Sequence, residues 1–296
     1  MLTRFESSSG LGGGLRDRVL ARLGFTALPS ADLDGLHAIY RAWCMAVPFD
    51  NVRKMIALRA DGIQPLPGGH AGPFFEHWMA TGTGGTCWPT SNALFELLRS
   101  LGFEARRATG AMRDLGIVNH ATVRVRIGNR GWLADSSLLS NAPLPLDEGV
   151  FVRDDPVIPA EVEFEDGTHV VWSHTPPNST YLPCRLIADC ESHAGYLDYY
   201  EQSRNRSPFN SRLYARRNRP GETIVLIGNT RFAKTAEGVD RRDLSPDELR
   251  DALHHDIGLS EGIIDEWVRS GSLAASFEPP SGPKPPAVTR KPPSQR

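Results

Sequence analysis

"GTGGTCWPTSNALFELLRSLGF", residues 82–103, carries one cysteine between a glycine-rich run and an apolar one. Leu94, Leu97, Leu98 and Leu101 recur at three- and four-residue spacing, which predicts an amphipathic helix. Gly102 suits the left-handed position that ends such a helix. Cys87 then lies in the first turn or just upstream of it, brought there by Gly82, Gly84 and Gly85. The thiolate is the nucleophilic form of cysteine, and a helix N-terminus favours negative charge. A cysteine nucleophile also needs a base, normally histidine, and a third group that orients the base.

Both partners are offered by the next segment. "HATVRVRI", 120–127, alternates, with Ala121, Val123, Val125 and Ile127 on one face and His120, Thr122, Arg124 and Arg126 on the other. Gly128 and Asn129 make a two-residue turn, and "RGWLAD" returns to Asp135. With that turn Asp135 faces Thr122, so His120 and Asp135 are diagonal neighbours on one face of the hairpin. Taken singly, Cys87 reads as a small buried residue, His120 as an ordinary strand residue and Asp135 as a strand-end carboxylate. Together they fit a Cys-His-Asp triad. At the level of the residues alone both readings stay open.

The rest of the chain supplies context. Residues 1–14 are Gly/Ser-rich and are expected to be flexible. The pattern from Leu15 to Cys44 is helical, with Ser30 as an N-cap before Leu33, Leu36, Tyr40 and Trp43. Pro48 ends it, and the Gly- and Pro-rich residues 57–86 read as a long loop. Strand-like pieces follow at 162–172 and 222–229, and 246–269 is helical again. The last stretch carries seven prolines from Pro279 onward and is expected to be a disordered tail.

Bulk properties narrow the function classes. The chain has 296 residues, 40% of them hydrophobic, enough for a large core without a staple. A net charge of −2 gives no global attraction to nucleic acid or membrane. No run approaches a membrane span, and "MLTRFESSSGLGGGLRDR" lacks the apolar stretch of a signal peptide. The four cysteines, Cys44, Cys87, Cys184 and Cys190, form no disulfide framework or zinc pattern. The expectation is a cytoplasmic protein with reduced thiols, no metal and no tightly bound cofactor. Six arginines between 204 and 219 read as a solvated surface, with a phosphate-binding patch as the alternative. His254 and His255 read as helix surface, and His70 and His77 as residues near the nucleophile.

The chain resembles the arylamine N-acetyltransferases. "VPFDN" (47–51), "GGTC" with its helix ending in "LGF", "NHATVRV", "WLAD" and "SPFNS" (207–211) match that family's short motifs in order, over about residues 15–275. The resemblance implies an α+β fold. An N-terminal helical bundle (15–109) would carry the nucleophile, followed by a central antiparallel β-barrel (110–215) and a C-terminal α/β lid (216–276), with a tail from 277 to 296. It also implies ping-pong acyl transfer, with Cys87 as nucleophile, His120 as general base and acid, and Asp135 as orienter. Phe49, Thr86, Trp88, Ser136, Ser137 and Phe209 fall where substrate contacts are expected. The co-substrate would be an acyl-CoA or an acyl-carrier-protein thioester, and the acceptor a small amine.

Departures from the pattern bear on the substrate. The arginine of "RGGxC" is Thr83 here, the residue before the cysteine is Thr86, and Trp88-Pro89 follow it. The family's glycine-rich "DVGFG" is "DSSLL", Asp135 to Leu139. Ser136 and Ser137 would narrow the site or add hydrogen bonds, which points toward amide formation in a secondary-metabolite pathway. Two other readings remain: a transglutaminase-like cysteine peptidase or amidase, which has a similar Cys, His, Asp order, and a catalytically inactive relative.

Overall fold

The computed structural model describes residues 11–178, 180–280 and 287–296. The N-terminal part contains helices α1 (Gly13–Arg22), α2 (Leu33–Ala46), α3 (Val52–Arg59), α4 (Ala71–Thr81) and α5 (Cys87–Ser100), with a short strand β1 (Phe49–Asp50) between α2 and α3. Strands β2 (Glu104–Met112), β3 (His120–Ile127), β4 (Arg130–Ala134), β5 (Leu144–Leu146), β6 (Val150–Arg153), β7 (Ala160–Glu165), β8 (Thr168–Ser173) and β9 (Leu182–Asp189) follow. After α6 (His193–Arg206) come β10 (Tyr214–Arg219), β11 (Glu222–Ile227), β12 (Thr230–Lys234) and β13 (Val239–Asp243). The last helices are α7 (Pro246–Ala252), a π-helical turn (Leu253–Ile257), α8 (Glu261–Arg269) and α9 (Ser272–Phe277).

Several local expectations need correction. The helical stretch from residue 15 to 44 is two helices, because Gly24 takes φ +92 and the chain turns before α2. Asp32, not Ser30, caps α2, accepting the Gly35 amide at 2.8 Å. The expected long loop 57–86 contains α4, whose Phe74, Phe75 and Trp78 form an apolar face. Proline and glycine density hid it, yet Pro73 sits in the first turn, where a missing N–H costs nothing. Gly13 and Gly14, expected to be flexible, open α1, while residues 1–10 lie outside the described residues.

α1, α2, α4 and α5 bury one cluster around Tyr40, Trp43, Phe74, Leu94 and Leu98. The Trp43 ring stacks on Phe74 at 6.3 Å and meets Phe75 edge-on at 6.1 Å. Ala121, Val123 and Val125 of β3, with Trp132 and Ala134 of β4, join the same cluster, so the apolar face of the hairpin packs on the helices. Tyr196 and Tyr200 bring α6 back to this bundle as well.

β2 to β9 form an eight-stranded antiparallel sheet in the order β5-β4-β3-β2-β9-β8-β7-β6. Leu144 and Leu146 near one edge share an interior with Ala160 and Val162 near the other, so the sheet curls into a nearly closed barrel. The β3–β4 register pairs Val123 with Ala134 and Val125 with Trp132, as a Gly128-Asn129 turn requires. A second sheet, β1-β10-β11-β12-β13, buries Ala215, Ile224 and Leu226 against α3, α7 and α8.

The expected domain limits do not follow the elements. β2 begins before residue 110, β10 straddles residue 215, and β1 from the helical part belongs to the second sheet. The expected disordered tail also departs from expectation where it is described. α9 runs to Phe277, and Arg290, Ser294 and Arg296 lie on the barrel, where Arg296 reaches Glu163 at 2.8 Å. Glu163, and Glu161 which accepts the Ser294 amide, are buried and draw the cationic end of the chain onto them. Residues 281–286 of the tail lie outside the described residues.

The glycine run before Cys87 is a close-approach device. A Cβ on Gly84 would stand 1.8 Å from the Pro48 carbonyl oxygen, and one on Gly85 2.7 Å from Pro89. Gly84→Ala is expected to lower unfolding stability by about 2–3 kcal/mol. Gly72→Ala in α4, where a Cβ meets nothing within 4 Å, should be neutral or add up to about 1 kcal/mol. Urea denaturation of the two variants checks the contrast.

Candidate active site

Cys87 is the first residue of α5, with Thr86 at the N-cap. Its position is set by backbone contacts on the preceding residues. The Asp50 amide donates to Gly85 O at 3.1 Å, and Phe49 forms a parallel bridge with Gly85. Asp50 Oδ2 accepts the Gly84 amide at 2.7 Å, and its Oδ1 accepts the Val52 amide at 3.0 Å. Asp50 is fully enclosed, and burial pushes its carboxyl up to about 6 while the two amides oppose that shift. "VPFDN" therefore clamps the loop that delivers the cysteine.

Across from α5, His120 Nε2 and Asp135 Oδ2 are 2.7 Å apart. The second carboxylate oxygen of Asp135 accepts the Ser137 and Leu138 amides, both at 2.8 Å. The Tyr40 hydroxyl donates to the Asp135 carbonyl at 2.6 Å. With Nε2 committed to Asp135, Nδ1 is left for Cys87, whose side chain is hydrogen-bonded to the imidazole. Cys87, His120 and Asp135 are 6%, 4% and 1% exposed, so all three are buried. The structure thus brings together all three residues of the expected triad.

Burial alone would lower the His120 pKa. The Asp135 charge, the neighbouring Cys184 and the hydrogen bonds to Asp135 and Cys87 outweigh it and raise it well above 6.5. Burial likewise raises the Asp135 carboxyl, but His120 and the two backbone amides hold it below 3.8.

The expected substrate contacts divide. Ser136 Oγ is taken by α5, at 2.8 Å from both Thr90 Oγ1 and Ser91 Oγ, so it fixes the helix to the hairpin. Trp88 is packed against α6, stacked on Tyr199 at 5.7 Å and edge-on to Tyr196 at 5.1 Å. Phe49 and Phe209 meet at 5.2 Å and share Tyr214 as a neighbour. The hydroxyls of Thr86 and Ser137 are buried without a partner among the described residues, the condition of a group kept for a ligand. Leu139 stands at φ +48 and Asn141 at φ +63, both left-handed without glycine. The buried Leu139 side chain fills space in the helical core.

Sequence reasoning missed three neighbours. Tyr40 holds the Asp135 backbone, and nothing in its helical spacing marks it. Cys184, pushed up to about 12 by burial, lies beside His120. Lys54 is buried, with Nζ 2.9 Å from Ser203 Oγ, and burial lowers it to about 8 despite the field of Cys87. The Arg-rich run is not a solvated face: Arg216 is buried, while Arg217 and Arg219 donate to the carbonyls of Ile257 and His255. His70 packs on His193 at 5.0 Å, a contact within α4 and α6 and not with the triad residues. Among the described residues no cluster of His, Cys, Asp and Glu can hold a metal ion, and no helix is long and apolar enough to cross a membrane.

The linkage signs are opposite for the paired groups. His120, raised when folded, stabilises the fold fully below about pH 6.5, and the contribution is lost as pH rises through its folded value. Asp135, lowered when folded, contributes above about pH 3.8 and loses it as pH falls through its folded value. In Asp135→Asn the anion is gone and burial dominates. The His120 ring is then expected to titrate below 6.5 instead of above it, with a stability loss of about 3–5 kcal/mol. NMR titration of the ring and urea unfolding check the two effects; an unchanged titration would remove Asp135 as the cause.

The family model described as N-acetyltransferase matches residues 32–263. The arylamine N-acetyltransferase of Mycolicibacterium smegmatis is 31% identical over 91 residues, and that alignment spans 31% of this chain and 31% of that protein. Solved structures extend the likeness to most of the fold. The arylamine N-acetyltransferase of M. tuberculosis superposes with a TM-score of 0.73 at 17% identity, covering 88% of this chain and 98% of that one. The Nocardia farcinica enzyme gives 0.71 at 22% identity, covering 88% and 95%. That of Mycobacterium marinum, solved in complex with CoA, gives 0.70 at 18% identity, covering 87% and 96%.

Proposed function

We propose, from the premise that this chain belongs to the N-acetyltransferase family, that it transfers an acyl group from a thioester to a small amine through an acyl-Cys87 intermediate. The observation that carries the reading is the hydrogen-bonded chain from Cys87 through His120 to Asp135, buried in the fold of that family.

The Cys87 sulfur attacks the thioester carbonyl, forming a new carbon–sulfur bond as the donor's carbon–sulfur bond breaks. The departing thiolate takes the proton held by His120. The amine then attacks the acyl-Cys87 carbonyl and gives its proton to the neutral imidazole, and the Cys87 sulfur leaves as thiolate. The imidazolium is regenerated, so protons balance over the cycle. Asp135 keeps the ring oriented and stabilises its charged form. Limited access to the thiol protects the intermediate from water.

A CoA thioester is the donor this reading favours, and the amine is the acceptor. The hydroxyls of Thr86 and Ser137, without a partner among the described residues, are polar groups free to contact either substrate. Leu139 in place of a glycine narrows the space behind Asp135, which favours a slim acyl group or an acceptor that enters edge-on. Amide formation in a biosynthetic pathway, with a carrier-protein thioester as donor, is the finer form of the same chemistry.

Intact-protein mass spectrometry with a panel of acyl-CoA thioesters is the test. One acyl group should appear on the wild type, none on Cys87→Ala, and an added amine should discharge it. Asp135→Asn should acylate about 10²–10⁴-fold more slowly. Labelling by a peptide or amide but by no thioester would replace the transferase reading with the peptidase one.

A further inference from the structure

We propose that the barrel-facing side of the second sheet carries a phosphate-binding subsite formed by Arg216 and Lys234. The sheet sorts its side chains by face. Ala215, Ile224 and Leu226 lie with the helices, while Arg216 and Asn218 of β10, Thr223 of β11 and Lys234 of β12 alternate to the other side. Thr223 pairs directly with Asn218 and with Lys234, and Arg216 Nε reaches Thr223 Oγ1 at 3.3 Å. Lys234 therefore stands directly across from Thr223 on β12, while Arg216, paired with Val225, lies diagonally from Thr223 on β10 and reaches it through its side chain.

Neither cation has a carboxylate at ion-pairing distance among the described residues. Arg216 is 3% exposed, and its remaining bonds are neutral and long, to Thr175 Oγ1 at 3.2 Å and Asn218 Oδ1 at 3.5 Å. Lys234 is 7% exposed and makes no hydrogen bond or ion pair there. Asp155 is the acidic group facing Lys234, but its oxygens are already held by Arg153 and by the Val157 and Ile158 amides. Asp135 lies within the field of Arg216 and is committed to His120. His174, also facing Lys234, is a third nitrogen-bearing group on this side.

Two like charges on one face of the sheet, on strands β10 and β12 with β11 between them, repel each other and are largely withdrawn from water. An anion between them relieves both costs. A guanidinium, an ammonium and two threonine hydroxyls, Thr175 and Thr223, are suited to a phosphate group. The position also fits a thioester donor. Phe49 pairs with Arg216 across β1 and β10 and bridges Gly85, two residues before Cys87. A pantetheine arm held by its phosphate at this row has a short path to the nucleophile. Identifying the ligand as a phosphopantetheine-bearing donor rests on the transferase reading; the anion site itself rests on the unpaired cations.

Calorimetric titration of the full chain with CoA, 4′-phosphopantetheine and pantetheine tests the subsite, with thermal unfolding in inorganic phosphate as a second readout. CoA is expected to bind about tenfold or more tightly than phosphate-free pantetheine. Lys234→Met should erase most of that difference, while its unliganded melting temperature stays level or rises, because a buried charge is removed. If phosphopantetheine binds like CoA, the phosphate common to CoA and carrier proteins is the one held; if only CoA binds tightly, the nucleotide-side phosphates are. Equal affinities for CoA and pantetheine, or a Lys234→Met variant that melts lower and binds CoA like the wild type, would overturn the subsite. Acylation of Cys87 by acyl-CoA separates the two proposals: its absence alongside intact CoA binding sinks the transferase reading and leaves the subsite standing.

Discussion

A carboxylate sealed from water has to be satisfied on every side, and in this fold that carboxylate is Asp135. At 1% exposure it has one oxygen on His120 and the other on two backbone amides. Those amides come from Ser137 and Leu138, so the turn after β4 must wrap the side chain. The wrap carries Leu139 and Asn141 into left-handed conformations, each costing roughly 1–2 kcal/mol. Tyr40 from α2 holds the same segment through the Asp135 carbonyl and Ser140. The helical bundle and the barrel are thus joined at the charge that orients His120, and chemistry and fold share one constraint.

Cys87 is placed by a second, independent anchor. Asp50 uses both oxygens to hold the start of α3 and the loop before α5. Because β1 is also an edge of the second sheet, the same two residues connect that sheet to the cysteine loop. Several elements place the three residues: Cys87 depends on β1 and α5, His120 on β3 and its bond to Asp135, and Asp135 on α2 and β4. This cross-bracing explains why glycine is needed at residue 84. The loop passes so close to the Pro48 carbonyl that no side chain fits.

The pairing of His120 with Asp135 was legible because it rests on short-range rules. A two-residue turn fixes the register of a hairpin, and the register puts His120 and Asp135 on one face. Leucine spacing located the C-terminal half of α5 and its end near Gly102. What stayed hidden depends on tertiary contact. α4 was lost behind its glycines and prolines, although Phe74, Phe75 and Trp78 carry the helical period. Ser136 looked like a substrate contact, and only the packing of α5 on the hairpin shows that its hydroxyl is consumed by Thr90 and Ser91. The arginine-rich run looked like one surface, yet strand alternation sends its members to different places: Arg216 inward, Arg217 and Arg219 onto carbonyls at the end of the π-helical turn.

The second sheet has a part in the site that neither its position in the chain nor its composition suggests. Asn218 donates to the Leu139 carbonyl at 2.7 Å and to Asn141 Oδ1 at 2.9 Å, reaching the two strained residues behind Asp135. Its own oxygen accepts the Thr223 hydroxyl at 2.9 Å. A continuous set of hydrogen bonds therefore runs from the cationic row on β10–β12 to the loop that wraps Asp135. An anion that settled on that row would pull on Thr223 and Arg216, both of which touch Asn218. Strain at Leu139 is affordable only while Asn218 holds the carbonyl in place, so the second sheet is a structural partner of the His120–Asp135 pair and not merely a cover over it.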